Sequence, residues 1–171
     1  MNKFREFLKG GDLRSIGKAN EVSTMIEDQQ DFDRLMECLK DSDRKIRMRA
    51  ADAIEKITLK KPEYLQPHKK FFIHLAKTVS EKEMKWHLAQ LFARLEFSPS
   101  EKSAIRKLLY QWAADENESK IVRVFSIQTL SEIPGNSAAD RNHFMELLDK
   151  IEQENIPSLK ARIKKIQLIY N

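Results

Sequence analysis

The side chains best suited to catalysis or metal binding are four histidines, His68, His74, His87 and His143, and one cysteine, Cys38. A local metal motif needs ligands at short, regular spacing, and these histidines are scattered with no cysteine at ligand distance. Cys38 lies between Leu35, Met36 and Leu39 on a predicted helix with no histidine near it in sequence, so a buried thiol is expected rather than a nucleophile. Gly10-Gly11 is followed by Asp12 and not by the lysine-serine pair of a phosphate loop, and no serine sits in a nucleophile elbow. Glu81, Glu83, Glu116 and Glu118 fall at helix starts, where a carboxylate favours the helix dipole and needs no catalytic role. Lys160, Arg162, Lys164 and Lys165 give the last helix a basic character that either holds an anion or complements the dipole at its C-terminus. No catalytic residue, metal ligand or cofactor-binding residue is therefore assigned, and the chemistry left open is binding.

Binding needs elements that present a surface, and the chain is built from one such element repeated. In Lys45 to Ile57 the apolar residues Ile46, Ala50, Ala53, Ile54 and Ile57 fall on one stripe of a 3.6-residue helix. Lys45, Arg49, Asp52 and Lys56 fall opposite. A shift of 38 residues from Ile46, Ile54 and Ile57 lands on Met84, Phe92 and Leu95, and a second shift on Val122, Leu130 and Ile133. Each such helix follows a partner of shared spacing: Phe32, Leu35, Met36 and Leu39; Phe72, Leu75, Ala76 and Val79; Ile105, Leu108, Leu109 and Trp112; Phe144, Leu147, Leu148 and Ile151. Leu159, Ile163, Ile166 and Ile169 close the last pair. Asp12 stands as an N-cap for a leading helix with Leu13, Ile16, Ala19, Val22, Met25 and Ile26 on one face. Ser98-Pro99-Ser100-Glu101 and Ser80-Glu81-Lys82-Glu83 read as capping boxes. Pro62, Pro67, Pro134-Gly135-Asn136 and Asn155-Ile156-Pro157 mark links, and no stretch alternates as a strand does. Met48, Ala51, Trp86, Ala89, Val124 and Ile127 form a second apolar edge, expected in the core with Trp112.

The chain has 171 residues, 41% hydrophobic and 33% charged, enough for a sizeable core. A single cysteine excludes an internal disulfide and suits a reducing compartment. MNKFREFLKGG carries charges among its apolar residues and does not read as a secretory signal, and no run reaches transmembrane length, so a cytoplasmic protein is expected. The formal charge of +5 comes from 31 basic and 26 acidic residues interspersed, which describes a solvated surface more than a phosphate-binding track.

Asp41 in a short turn, Ile46-Arg47 at the head of the next helix, then Ala50-Ala51 and Ala53-Ile54 resemble the HEAT repeat. The whole chain is similar to small bacterial HEAT-like proteins. The resemblance implies an all-α, right-handed α-solenoid of about four helical pairs, one domain over 1–171 with a leading helix at 12–28 and repeats near 30–58, 62–96, 98–133 and 138–170. It implies a ladder of ion pairs between turns and following helices, carried here by Asp41 and Arg47 and continued by Lys85 and Arg123. The aspartate itself does not recur, since Val79 and Asn117 hold its place, and Glu81, Asp115 or Glu116 stand near to substitute. It further implies a concave wall made of second helices, lined by Lys45, Arg49, Asp52, Lys56, His87, Gln90, Arg94, Phe125 and Gln128. Such a mixed-charge wall suits a protein or peptide better than nucleic acid. The alternative is a nucleic-acid binder similar to HEAT-like alkylpurine DNA glycosylases, with Trp86, Asp52 and Arg94 cast in the site. The expected module is non-catalytic, needs no cofactor, does not enter membranes, and is a monomer or a homodimer formed through the Ile163-Ile166-Ile169 stripe.

Overall fold

The computed structural model of the chain describes residues 2–9 and 19–170, all as helices and the turns between them. There is no strand among the described residues. Two compact units divide at His74/Leu75, Met1–His74 and Leu75–Asn171, a point inside the helix Lys69–Thr78.

The first unit holds α1 (Lys3–Leu8), α2 (Ala19–Thr24), α3 (Gln29–Glu37) and α4 (Arg44–Thr58), a 3-10 turn at Cys38–Lys40 and another at Pro62–His68. Helix α4 is its centre: α1, α2, α3 and both 3-10 turns pack on it. Asp43 starts α4 by accepting from the Lys45 amide at 2.8 Å. The predicted stripe Ile46, Ala50, Ala53, Ile54 and Ile57 is buried, and alanines at three of the core positions, Ala50, Ala51 and Ala53, let neighbouring helices come close. The part of the predicted leading helix at 12–18 lies outside the described residues. Its end comes at Thr24, short of residue 28, and Ser23 and Thr24 there turn their hydroxyls back to the carbonyls of Asn20 and Glu21. Asp28 instead caps α3, accepting from the Asp31 amide at 2.8 Å. The Pro62–Pro67 link is a 3-10 turn rather than an open loop, and its Leu65 is fully buried.

Helix α5 (Lys69–Thr78) spans the division. The second unit then continues with α6 (Lys82–Phe92), α7 (Pro99–Ala114), α8 (Lys120–Glu132), α9 (Ala138–Gln153) and α10 (Pro157–Tyr170). Its hub is α8, which packs on α6, α7 and α10, while α9 packs on α10. Second helices of successive pairs are thus neighbours. The positions reached by the 38-residue shifts, Met84, Phe92, Leu95, Val122, Leu130 and Ile133, are all buried. Ser98 and Glu101 form the predicted capping box of α7 with Pro99 at its first position. The box predicted at Ser80–Glu83 does not form: α6 starts one residue later, with Glu81 as the N-cap and no capping bond from its side chain. A box that periodicity did not mark, Ser137 with Asp140, opens α9.

Two arginines join α7 to α8 reciprocally. The last carbonyls of a helix lack intrahelical donors. Arg106 of α7 donates to the carbonyls of Leu130 and Ile133 at the end of α8, at 3.3 and 2.7 Å, and Arg123 of α8 donates through Nε to the Ala113 carbonyl at the end of α7, at 2.9 Å. Both arginines are buried. Thr129 ties α8 to α6 through a buried hydroxyl bond of 2.7 Å to the Ala89 carbonyl.

Candidate binding face

In the first unit the residues predicted to line a wall hold the unit together. Arg49 is 8% exposed and donates to the Leu8 carbonyl at 2.7 Å, so it secures α1. Its expected exposure is corrected for a plain reason: it stands three residues after Ile46 and four before Ala53, inside the arc that α4 buries. Lys56 bridges Asp52 at 2.6 Å and Asn20 of α2 at 2.7 Å. Lys45 is half-buried at the start of α4. Packing of α1 and α2 against α4 therefore occupies much of the side that an open wall would need. Asp52, one of the three residues of the glycosylase alternative, has its carboxylate in the Lys56 pair.

The second unit brings its predicted residues together on one face, with one exchange. His87, expected outward, is 2% exposed, and Trp86, expected in the core, is half-buried with its ring on the outer side. The cause is again the arc. His87 is three residues after Met84 and four before Leu91, both buried, and it packs under Trp86 with ring centroids 4.1 Å apart. Trp86 in turn meets Phe125 of α8 at 5.6 Å, the rings inclined by 31°. The guanidinium of Arg162 on α10 lies 5.7 Å from the centre of the Phe125 ring and donates to Gln128 at 2.8 Å. Gln128 donates onward to Glu132. Three successive second helices thus contribute Trp86, Phe125 and Arg162 to one continuous row, flanked by half-buried Gln90 and Arg94 and by exposed Ile121. Arg162 escapes the repeat arithmetic, since Ile163 stands 38 residues after Phe125 and Ala161 stands 36 after it.

Of the ladder residues, Asp41 accepts from Arg5 of α1 at 2.5 Å, and Arg47 donates to the backbone carbonyls of Asp41 and Ser42 at 2.9 and 3.0 Å. The Arg5 hydrogen bond holds the Asp41 carboxyl below the ordinary aspartate range. Lys85 pairs with Glu118, and Arg123 pairs with Glu154 through two bonds of 2.7 and 2.6 Å. The acids in the second unit are thus Glu118 and Glu154, and neither Asp115 nor Glu116 takes that place. Arg123 holds the Glu154 carboxyl below the ordinary glutamate range.

Cys38, His68 and His143 each have a structural setting, while His74 is exposed on α5. Burial pushes the Cys38 thiol up to about 11, which keeps it protonated. His68 pairs with Asp33 at 2.7 Å, and His143 stacks on Tyr110 at 4.8 Å. Among the described residues no group of three or more His, Cys, Asp or Glu side chains stands close enough to hold a metal ion, and no helix is long and apolar enough to cross a membrane. The chain matches no family model, no curated protein and no solved structure.

Proposed function

We propose that this protein is a helical-repeat interaction module, a right-handed solenoid of the HEAT-like kind, that holds a segment of another protein on its second helices. The observation that carries the proposal is the row Trp86, Phe125 and Arg162: two aromatic rings and a cation in mutual contact, half-buried, on three consecutive second helices. Aromatic and arginine side chains are enriched among the anchors of protein interfaces. The 38-residue recurrence of buried positions and the adjacency of α6, α8 and α10 support the solenoid reading. With Arg94 and Arg162 beside an apolar centre and Glu132 at one end, the fitting partner is a peptide segment with one aromatic or aliphatic anchor and an acidic flank. In this reading the module works in the bacterial cytoplasm as a monomer or homodimer and carries out no chemistry.

Peptide-display selection on the wild-type protein tests it. The expected outcome is enrichment of sequences pairing an apolar anchor with acidic residues, with binding lowered at least tenfold by Trp86→Ala, Phe125→Ala and Arg162→Glu. Enrichment indifferent to all three substitutions would sink the proposal, as would tight nucleic-acid binding with a steep loss on adding salt, the signature of several phosphate contacts.

A further inference from the structure

A concavity that none of the aromatic-row residues lines lies wholly within the second unit. Its volume is about 420 Å³, and its two walls are the outer face of α7, with Lys102, Arg106, Lys107 and Tyr110, and the 134–137 turn with the first turns of α9, with Asp140 and His143. The turn lies tight against α9: a Cβ added at Gly135 would come within 2.2 Å of the Asp140 Cβ, so only glycine lets the chain close the cleft here. Arg106 is 7% exposed and pinned by the Leu130 and Ile133 carbonyls, which fixes its positive charge within electrostatic reach of Asp140 but in no salt bridge among the described residues. Lys102 reaches only the Asn136 amide oxygen, at 3.4 Å, and Lys107 has no acidic partner among the described residues. Asp140 is the one carboxylate in the lining, and it is committed to α9: it accepts from the Ser137 amide at 3.1 Å and the Ser137 hydroxyl at 2.7 Å. Those bonds hold its carboxyl below the ordinary aspartate range.

Three cations against one engaged carboxylate, converging on one half-enclosed space, leave an excess positive charge. Low-dielectric walls focus such a field. From this convergence we infer that the α7–α9 cleft binds a small phosphate monoester, held by Lys102 and Lys107 over the fixed guanidinium of Arg106. The phosphate carries about −1.5 to −2 charge at neutral pH, matching the excess, and its oxygens accept the charge-assisted bonds that ammonium and guanidinium groups donate.

The test is titration of the whole protein with inorganic phosphate and with glycerol 2-phosphate at low ionic strength, followed by amide chemical shifts, with glycerol as the uncharged control. The inference expects saturable shifts confined to residues 99–110 and 134–143 for both anions and none for glycerol. Lys102→Ala/Lys107→Ala should weaken binding at least tenfold with an unchanged circular dichroism spectrum, since neither side chain is in the core. Trp86→Ala should leave it unaltered, which separates this site from the peptide face. Shifts that fail to saturate, that spread over the lysines of the surface generally, or that persist within twofold in the double variant would overturn it.

Discussion

Replacing Glu154 by glutamine probes how the second unit holds its helices in place. Arg123 is 1% exposed, and both of its terminal nitrogens bond to Glu154, whose side chain is 18% exposed. Removing one member of a buried pair leaves the other charge uncompensated, at a cost of about 3–5 kcal/mol. Water reaches Glu154 from one side, glutamine keeps one acceptor, and Arg123 keeps its Ala113 bond, so Glu154→Gln should cost about 2–3 kcal/mol. Arg123→Met removes the buried cation that Glu154→Gln leaves uncompensated, so the double variant Arg123→Met/Glu154→Gln should be more stable than Glu154→Gln alone. The pH dependence has a definite sign. The Glu154 carboxyl titrates lower in the folded chain than in the unfolded one, so its stabilisation is full above the ordinary glutamate value and is lost as pH falls through the lower folded value. The gap between wild type and Glu154→Gln should close across that acid window. Urea unfolding at several pH values, followed by circular dichroism and by exchange of the α8 amides, measures each quantity. A gap below about 1 kcal/mol at neutral pH, the range of an exposed pair, or a double variant no better than the single one, would refute the account.

Arg49→Met should cost about 1–2 kcal/mol and release α1 selectively, because the Leu8 carbonyl loses its buried donor; hydrogen exchange at Phe4 to Leu8 should accelerate while the α8 amides stay protected. Cys38, with its thiol at about 11, should present a thiolate about once in a thousand molecules at pH 8 and be sterically covered besides. Its reaction with a disulfide reagent should therefore be at least a hundredfold slower in the folded protein than in urea, and a comparable rate in both would contradict its burial.

The all-helical class and the buried stripes were legible because one period governs them: residues at 3.6-residue spacing and the 38-residue shift both fall on buried positions. Errors came at the margins of each arc. Arg49 and His87 sit between apolar neighbours three and four residues away, and polarity alone placed them outside when geometry places them inside. Arg49 is tolerated there because a carbonyl from α1 meets it, and that partner comes from a segment 41 residues away that no local pattern announces. Trp86 shows the converse, since its bulk suggested the core while its angular position puts it at the rim. Glu118 and Glu154 do not stand at the fixed offset that relates Asp41 to Arg47, because the long side chains of Lys85 and Arg123 reach an acid wherever the next turn supplies one.

The same ion pairs bear on the binding face. Phe125 follows Arg123 by two residues on α8, so the two side chains leave the helix on nearly opposite sides, and fixing one fixes the direction of the other. Glu154 precedes Asn155, whose left-handed backbone at φ 55° ends α9 and lets Pro157 begin α10. By gripping Glu154, Arg123 sets where α10 starts, and from that start Arg162 comes to lie over the Phe125 ring. The buried pair on one side of α8 therefore holds in register the aromatic and cationic groups on the other. Side chains already held in their row have less conformational freedom to surrender when a partner docks, which is the physical reason to expect binding there and not at the paired lysine and aspartate of α4.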